Sequence, residues 1–278
     1  MTWWAIDVRT RPEGRERIGA WLVARTGQAV EERDDGTLVT FAPDESAADA
    51  LMADIGLAAD GIAPETSRRR IEPVDWSVRW RDGLGSRSFG RLTVAPSWAA
   101  DPVDADGPIV VLDPEMAFGS GEHGSTRIAL SLLERLVRPG DLVLDLGSGS
   151  GILALAAVKL GAGRAVGIEN DAEANIVALR NAGRNGLEGA VEFLDGDAGD
   201  LALLLGPADM ILSNILRSAN TALLPAIATA LAPDGIAIFS GMEVAEAPLF
   251  LPALESAGFV AFQEATDTGW WGVAARRS

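Results

Sequence analysis

The sequence predicts an α/β protein in which a doubly wound, mostly parallel sheet follows a small α+β domain. Three observations carry this reading. The apolar run Leu142, Val143, Leu144 ends in an acid and a glycine-rich turn, and the helical stretch Ile152 to Leu160 follows at once. From there to the C-terminus, short apolar runs alternate with longer stretches of helical character. Residues 1–74 instead run β-α-β-β-α-β, the order of a split βαβ, ferredoxin-like domain.

Composition narrows the function. At 278 residues the chain is long enough for two domains. It has no cysteine, so disulfides, thiolate metal sites and cysteine nucleophiles are excluded, and its single histidine, His123, cannot form a histidine metal cluster; no metal is expected. No apolar stretch reaches membrane-spanning length and no basic-then-apolar leader opens the chain, so a cytoplasmic protein without membrane contact is expected. With 23 Lys+Arg against 40 Asp+Glu, the net charge of −17 disfavours nucleic acid and suits either a basic protein partner or simple solubility. Lys159 is the only lysine.

Taken in order, Trp3 to Val8 reads as a strand and Pro12 to Thr26 as an amphipathic helix with Ile18, Trp21 and Leu22 inward. Ala29 to Arg33 and Thr37 to Phe41 form hairpin arms around Asp34-Asp35-Gly36. A helix from Glu45 to Leu57 follows, then a strand near Arg69 to Val74. Residues 75–107 read as a linker and junction. Their Trp76, Trp80 and Trp98, with Asp75, Arg79, Arg81 and Arg87, suit a ligand surface or packing anchors, and Asp101 to Pro108 is rich in breakers.

The second domain spans residues 108–278. Ile109 to Leu112 is a strand, and the loop Phe118 to Thr126, FGSGEHGST, leads into a helix from Ser125 to Leu136. Phe118 can cover an apolar or cationic group with its ring face, Thr126 or Ser125 can cap the helix or bond a ligand, and His123 suits either a helix cap or a site role. After the strand at Leu142, Gly147, Gly149 and Gly151 let a ligand approach backbone N–H groups at a helix start. Three glycines two apart behind Asp145 form D-x-G-x-G-x-G, which resembles the methyltransferases that use S-adenosylmethionine; a plain strand–helix turn is the alternative.

The strand Ala165 to Ile168 ends in Glu169, 18 residues past Gly151, where a carboxylate can accept both hydrogen bonds of a ribose diol. Asp171 suits a helix cap for Ala172 to Asn185 or an adenine contact. Asp195 and Asp197 follow the third strand, Ala190 to Phe193, and an acid there can bond the adenine amine or lie in a surface turn. Ala208 to Leu212 is the fourth strand and Asn214 follows it, the polar residue expected to face a methyl acceptor. An asparagine oxygen can accept N–H from an amine without itself being deprotonated, and His123 is the side chain suited to take the amine's proton at neutral pH, with water as the alternative acceptor. Helices at Asn220 to Leu231 and Ala247 to Ala257, a strand at Gly235 to Ser240, and an antiparallel pair, Phe259 to Glu264 with Trp270 to Ala274, complete the domain.

Across nearly its whole length the chain resembles the bacterial ribosomal protein L-eleven methyltransferase family, PrmA. The residues that carry the resemblance are LDPEMAFGSGEHGSTR at Leu112 to Arg127, LDLGSGSGILALAAVKLGA at Leu144 to Ala162, GIENDAEA at Gly167 to Ala174, SNIL at Ser213 to Leu216, IFSGM at Ile238 to Met242 and GWWGVAARR at Gly269 to Arg277. Ser120, Glu122, Gly124 and Ser125 depart from the family's usual Thr, Thr, Pro and Thr, and Ser148 from a common Cys. The resemblance implies a seven-stranded Rossmann-like domain that binds S-adenosylmethionine through Gly147 to Gly151 and Glu169, with Asn214 near cofactor and acceptor and the Phe118 to Thr126 loop touching both. It further implies an N-terminal recognition domain and, as substrate, the basic ribosomal protein of the stalk base, methylated on lysine side chains and its N-terminal α-amine. A monomer is expected. A methyltransferase of another protein or small molecule, and a non-catalytic interaction module, are the alternatives.

Overall fold

The computed structural model describes residues 3–26, 30–33, 35–58, 64–70, 84–99, 107–115 and 117–278, and the chain divides into two compact units, Met1–Arg79 and Trp80–Ser278.

In the first unit β1 (Trp4–Arg9), α1 (Pro12–Thr26), β2 (Glu31–Glu32), β3 (Leu38–Ala42), α2 (Glu45–Ala58) and β4 (Glu65–Arg70) form a four-stranded antiparallel sheet of order β2-β3-β1-β4 with two helices. Alternate residues of β1, Ile6 and Val8, meet Ile18 and Leu22 of α1 and Leu51 and Ile55 of α2 in one core. The ferredoxin-like order expected from the sequence is therefore present. The last strand differs in position, starting at Glu65 rather than Arg69; residues 71–74 lie outside the described residues. Its sequence, ETSRRR, has no apolar residue to signal a strand. It is an edge strand held by pairing to β1, by Arg68 over the Trp4 ring at 4.6 Å and by ion pairs from Arg68 to Glu45 and Asp49, each at 2.9 Å.

The second unit opens inside the stretch expected as a junction. β5 (Arg87–Phe89) and β6 (Leu92–Ala95) join β7 (Ile109–Val111) in a three-stranded sheet, and Phe89, Leu92 and Val94 are buried with Val110, Leu130 and Leu133. Such apolar burial makes residues 84–99 part of this core. Trp98 lies in a 3₁₀ turn, 43% exposed, whereas Trp76, Trp80, Asp75, Arg79, Arg81 and most of the Asp101 to Pro108 stretch fall outside the described residues.

There follow α3 (Gly124–Leu136), β8 (Leu142–Leu146), α4 (Ile152–Lys159), β9 (Arg164–Glu169), α5 (Ala172–Asn185), β10 (Val191–Asp195), α6 (Ala198–Leu205), β11 (Ala208–Asn214), α7 (Arg217–Ala230), β12 (Leu231–Glu243), α8 (Ala247–Ser256), β13 (Phe259–Asp267) and β14 (Trp270–Arg277). The sheet order is β10-β9-β8-β11-β12-β14-β13. Its first five strands are parallel, while β14 and β13 close it antiparallel. Both faces are covered, so successive residues of one strand enter different cores: Val143 packs with α3 and α4, Leu144 and Leu146 with α7 and α8. The chain leaves β8 toward β9 on one side and returns to β11 on the other. This reversal opens a crevice at the carboxyl ends of the strands, the usual ligand site of open α/β sheets.

Candidate active site

A cavity of about 650 Å³ occupies that crevice. Gly147 and Gly149 after β8, Ile168 and Glu169 at the end of β9, Gly196 and Asp197 after β10, Asn214 to Leu216 at the end of β11 and Gly241 of β12 line it, together with Phe118, His123, Ser125 and Trp270. Eight residues singled out from the sequence thus line one cavity: Phe118, His123, Ser125, Gly147, Gly149, Glu169, Asp197 and Asn214.

The glycine turn is built by close approach. Gly147, Gly149 and Gly151 have φ of 75°, 52° and 81°, where side chains with a Cβ are strained. A Cβ on Gly149 would also stand 2.6 Å from the carbonyl oxygen of Phe118, and one on Gly151 would stand 2.5 Å from Cζ of Phe193. Gly151 is absent from the cavity wall; it caps α4 in the left-handed conformation and lets that helix pack, a role different from ligand contact. Ser150 ties the turn to the preceding loop, its N–H donating to Phe118 O at 2.9 Å and its hydroxyl to Gly119 O at 2.6 Å.

Asp145 also lies behind the wall. Its Oδ2 accepts from Ala154 N at 3.1 Å, and its Oδ1 has no hydrogen-bond partner among the described residues. Burial raises its pKa to about 7 against the Ala154 hydrogen bond, with Glu169 adding to the rise. The acid expected to bind cofactor is thereby a half-satisfied support beneath the start of α4.

The other three acids separate. Glu169 lines the cavity, with Oε2 accepting from Gly149 N at 3.0 Å and Oε1 from Asn170 N and Asp171 N at 2.9 and 3.2 Å. Asp171 caps α5 by accepting from Glu173 N at 2.9 Å and lines a different hollow, beside Glu115 and Arg180, so of its two expected roles the helix cap is the one formed by a hydrogen bond in the chain. Asp197 caps α6 through Gly199 N and Asp200 N at 2.8 and 3.1 Å, all on Oδ1, and still borders the cavity.

At the other end stands Asn214, whose Nδ2 donates to Thr126 Oγ1 at 3.2 Å while its Oδ1 is buried without a partner among the described residues. Thr126, expected to contact cofactor, is fully buried and absent from the cavity wall; its hydroxyl oxygen instead accepts from Asn214. Asn220 carries no signal in the sequence; its fully buried amide accepts from Ser213 Oγ at 2.7 Å and donates to Ile215 O and Ser240 O at 3.0 and 2.9 Å, fixing the turn that carries Asn214.

His123 holds the N-cap position of α3, yet its side chain makes no cap hydrogen bond. Its Nδ1 is 2.7 Å from Ser125 Oγ, and its ring lies between Phe118 and Trp270, with centroids 5.4 and 4.2 Å away. Burial, with a smaller contribution from the Arg127 cation, lowers its pKa, so the imidazole is neutral at pH 7. Trp270 was not anticipated as a site residue. Only the repeated aromatics of GWWG hinted at it, and β14 brings it to the wall from the far end of the chain.

An adenosine-bearing sulfonium fits this donor set: an apolar wall from Ile168, Ala198 and Leu223, a carboxylate at the end of β9, and an unsatisfied amide oxygen at the opposite end. The sequence profile described as Ribosomal protein L11 methyltransferase (PrmA) matches residues 22–278. The chain belongs to this family. A ribosomal protein L11 methyltransferase of Pelotomaculum thermopropionicum is 36% identical, covering 99% of this chain and 99% of its own. One from Thermus thermophilus is 41% identical over 70% of this chain and 75% of its own. The crystal structure of ribosomal protein L11 methylase from Lactobacillus delbrueckii subsp. bulgaricus superposes with a TM-score of 0.63 at 34% identity, covering 70% of this chain and 99% of that one. The resemblance read from the sequence is borne out. Like its family, this protein is an S-adenosylmethionine-dependent methyltransferase of Rossmann-like fold. No helix among the described residues is long and apolar enough to cross a membrane.

Proposed function

We propose that this PrmA-family enzyme methylates ribosomal protein L11 on amines, both lysine side chains and the N-terminal α-amine. The relatives' names support the substrate. The observation that carries the amine chemistry is the buried Asn214 oxygen, which lacks a partner at the end of the cavity that also holds the chain's one imidazole. A buried acceptor of this kind is costly unless a donor meets it, and an incoming amine N–H is such a donor.

In this reading Gly147, Gly149, Glu169 and Asp197 hold S-adenosylmethionine, with Glu169 on the ribose diol and Phe118 covering the opposite end. Bound there, it supplies an electrophilic methyl group on a sulfonium. Asn214 Oδ1 orients the acceptor nitrogen, and Thr126 keeps the amide in place. His123, neutral at pH 7 because burial lowers its pKa, takes the amine's proton. The apolar rings of Phe118 and Trp270 exclude water from the reacting end.

The N-terminal domain, residues 1–74, recognises the protein substrate, and the second unit, whose core includes β5 and β6, carries the chemistry. Because β5 and β6 pack into the second core, a fragment that binds cofactor must begin by residue 84. The surplus of acidic residues suits a basic ribosomal partner rather than nucleic acid, and the enzyme acts in the cytoplasm as a monomer. Mass spectrometry of L11 from cells with and without the gene tests the substrate: additions in steps of about 14 Da, one CH₂ per methyl replacing hydrogen, should appear only with the gene and be reproduced by pure enzyme. Unchanged L11 with labelled small molecules in an extract would move the assignment to another acceptor.

A further inference from the structure

We propose that Arg127 is the positioning residue of the acceptor end, tying the loop before α3 to the turn between β13 and β14 and so holding His123 against Trp270. Its guanidinium serves two segments besides its own helix. Nε donates to Asp267 Oδ2 at 2.6 Å, and Nη2 donates to Asp267 Oδ1 at 3.0 Å and to Thr268 Oγ1 at 2.9 Å. Nη1 donates to the carbonyl oxygen of Glu122. The residue next to Glu122 is His123, and Trp270 stands two residues after Thr268. One planar fork thus grips the chain beside each of the two rings, which lie 4.2 Å apart.

The surroundings leave the grip little freedom. Gly124 approaches the β13–β14 turn so closely that a Cβ would stand 2.6 Å from Trp270 Cδ1 and 2.9 Å from Asp267 O. Thr268 has a φ of 45°, a left-handed conformation that a β-branched residue rarely adopts, and its hydroxyl bond to Arg127 helps hold it. On the outer side the Glu122 carboxylate is itself engaged by Arg87 of β5. The charged groups around His123 are therefore Glu122 on its own loop, Arg127 on α3, Asp267 on the hairpin and Arg87 on β5, joined as alternating pairs. Arg127 is the cation that adds to burial in keeping the imidazole neutral.

The single histidine makes the test direct, since the imidazole C–H signals of the full-length protein in an NMR titration need no assignment. In the wild type they should be displaced by the neighbouring rings and titrate below 6.5. Arg127→Gln should return them toward the position of a free histidine and raise the midpoint. Arg127→Lys should do the same in part, because an ammonium keeps the charge and loses the fork. Turnover should fall on the order of tenfold to a hundredfold, as expected for a displaced acceptor site, with S-adenosylmethionine affinity little changed. Signals and midpoint at wild-type values in a folded Arg127→Gln protein would overturn the proposal. If that variant does not fold, Asp267→Asn decides: it removes the bidentate pair, keeps the cation, and should still move the signals; unmoved signals overturn the proposal. The role of His123 as proton acceptor rests on the proposed function and is separable. Moved signals in the Arg127 variants, combined with an unaltered pH–rate profile in His123→Asn, would uphold the positioning and discard the proton acceptor.

Discussion

The two ends of the cavity are made in different ways. The end proposed for the cofactor comes chiefly from one βαβ stretch, β8 to the start of α5, joined by Asp197 after β10, and is shaped by backbone: Gly147 and Gly149 at positive φ and a carboxylate held by three main-chain N–H groups. The end proposed for the acceptor is assembled from the loop before α3, the last residue of β11 and the β13–β14 hairpin, and is held by side chains: the Asn214–Thr126 bond, the edge-on and tilted ring contacts of His123 and the Arg127 ion pair. A backbone site tolerates change at its rim and fails at its glycines. A side-chain site fails wherever one partner is removed.

Mutations can break or sharpen that contrast. The largest effect is expected from Asn214→Ala, which should cut turnover by about a hundredfold while cofactor affinity changes by only a few-fold, because the contact proposed for it is to the reacting amine; equal losses in single-turnover rate and in binding would instead place Asn214 at the cofactor end. Next, Gly149→Val and Glu169→Ala should each weaken S-adenosylmethionine binding by about tenfold or more, a cost of about 1.4 kcal/mol read by calorimetric titration. Gly149→Val would also push the Phe118 carbonyl, so it alone of the two should disturb the acceptor end.

A smaller effect concerns pH. Because the pKa of His123 is lowered, the group stays neutral as pH falls past 6.5 and activity should decline only below that value. The pH–rate profile of His123→Asn should lack this acid limb, and a retained limb would assign it to another group. The smallest is Asp171→Ala, which removes a helix cap and should lower stability by about 1 kcal/mol in denaturant unfolding with cofactor affinity intact. Loss of affinity there would return Asp171 to the cofactor end.

The contrast also explains what could be read from the sequence. The cofactor end is local, so its spacing was visible: Asp145, the glycines and Glu169 lie within one unit, and the helices around them matched to within a residue or two. Function within that unit was harder to divide, since Gly151 serves packing and Asp145 supports a helix although both share the motif with the ligand-facing glycines. At the acceptor end, Asn214 and His123 stood out by type and position. Asn220 and Trp270 did not, because buried hydrogen bonds across β11, α7 and β12, and a contact from α3 to β14, join residues far apart in the chain. Strand β4 was displaced for a related reason, its evidence being backbone pairing at an edge rather than apolar periodicity. Helix α6 is not legible in the sequence: its run LALLL is short, and its start is marked only by the Asp197 cap.

The bonds from Ser150 to Phe118 O and Gly119 O have a thermodynamic consequence. They make the glycine turn and the acceptor loop one mechanical piece, so a cofactor that settles the turn also settles Phe118 and the segment leading to His123. Two ligands that share a stiffened element are linked, and linkage is reciprocal. Whatever factor bound cofactor contributes to acceptor affinity, bound acceptor returns to the cofactor.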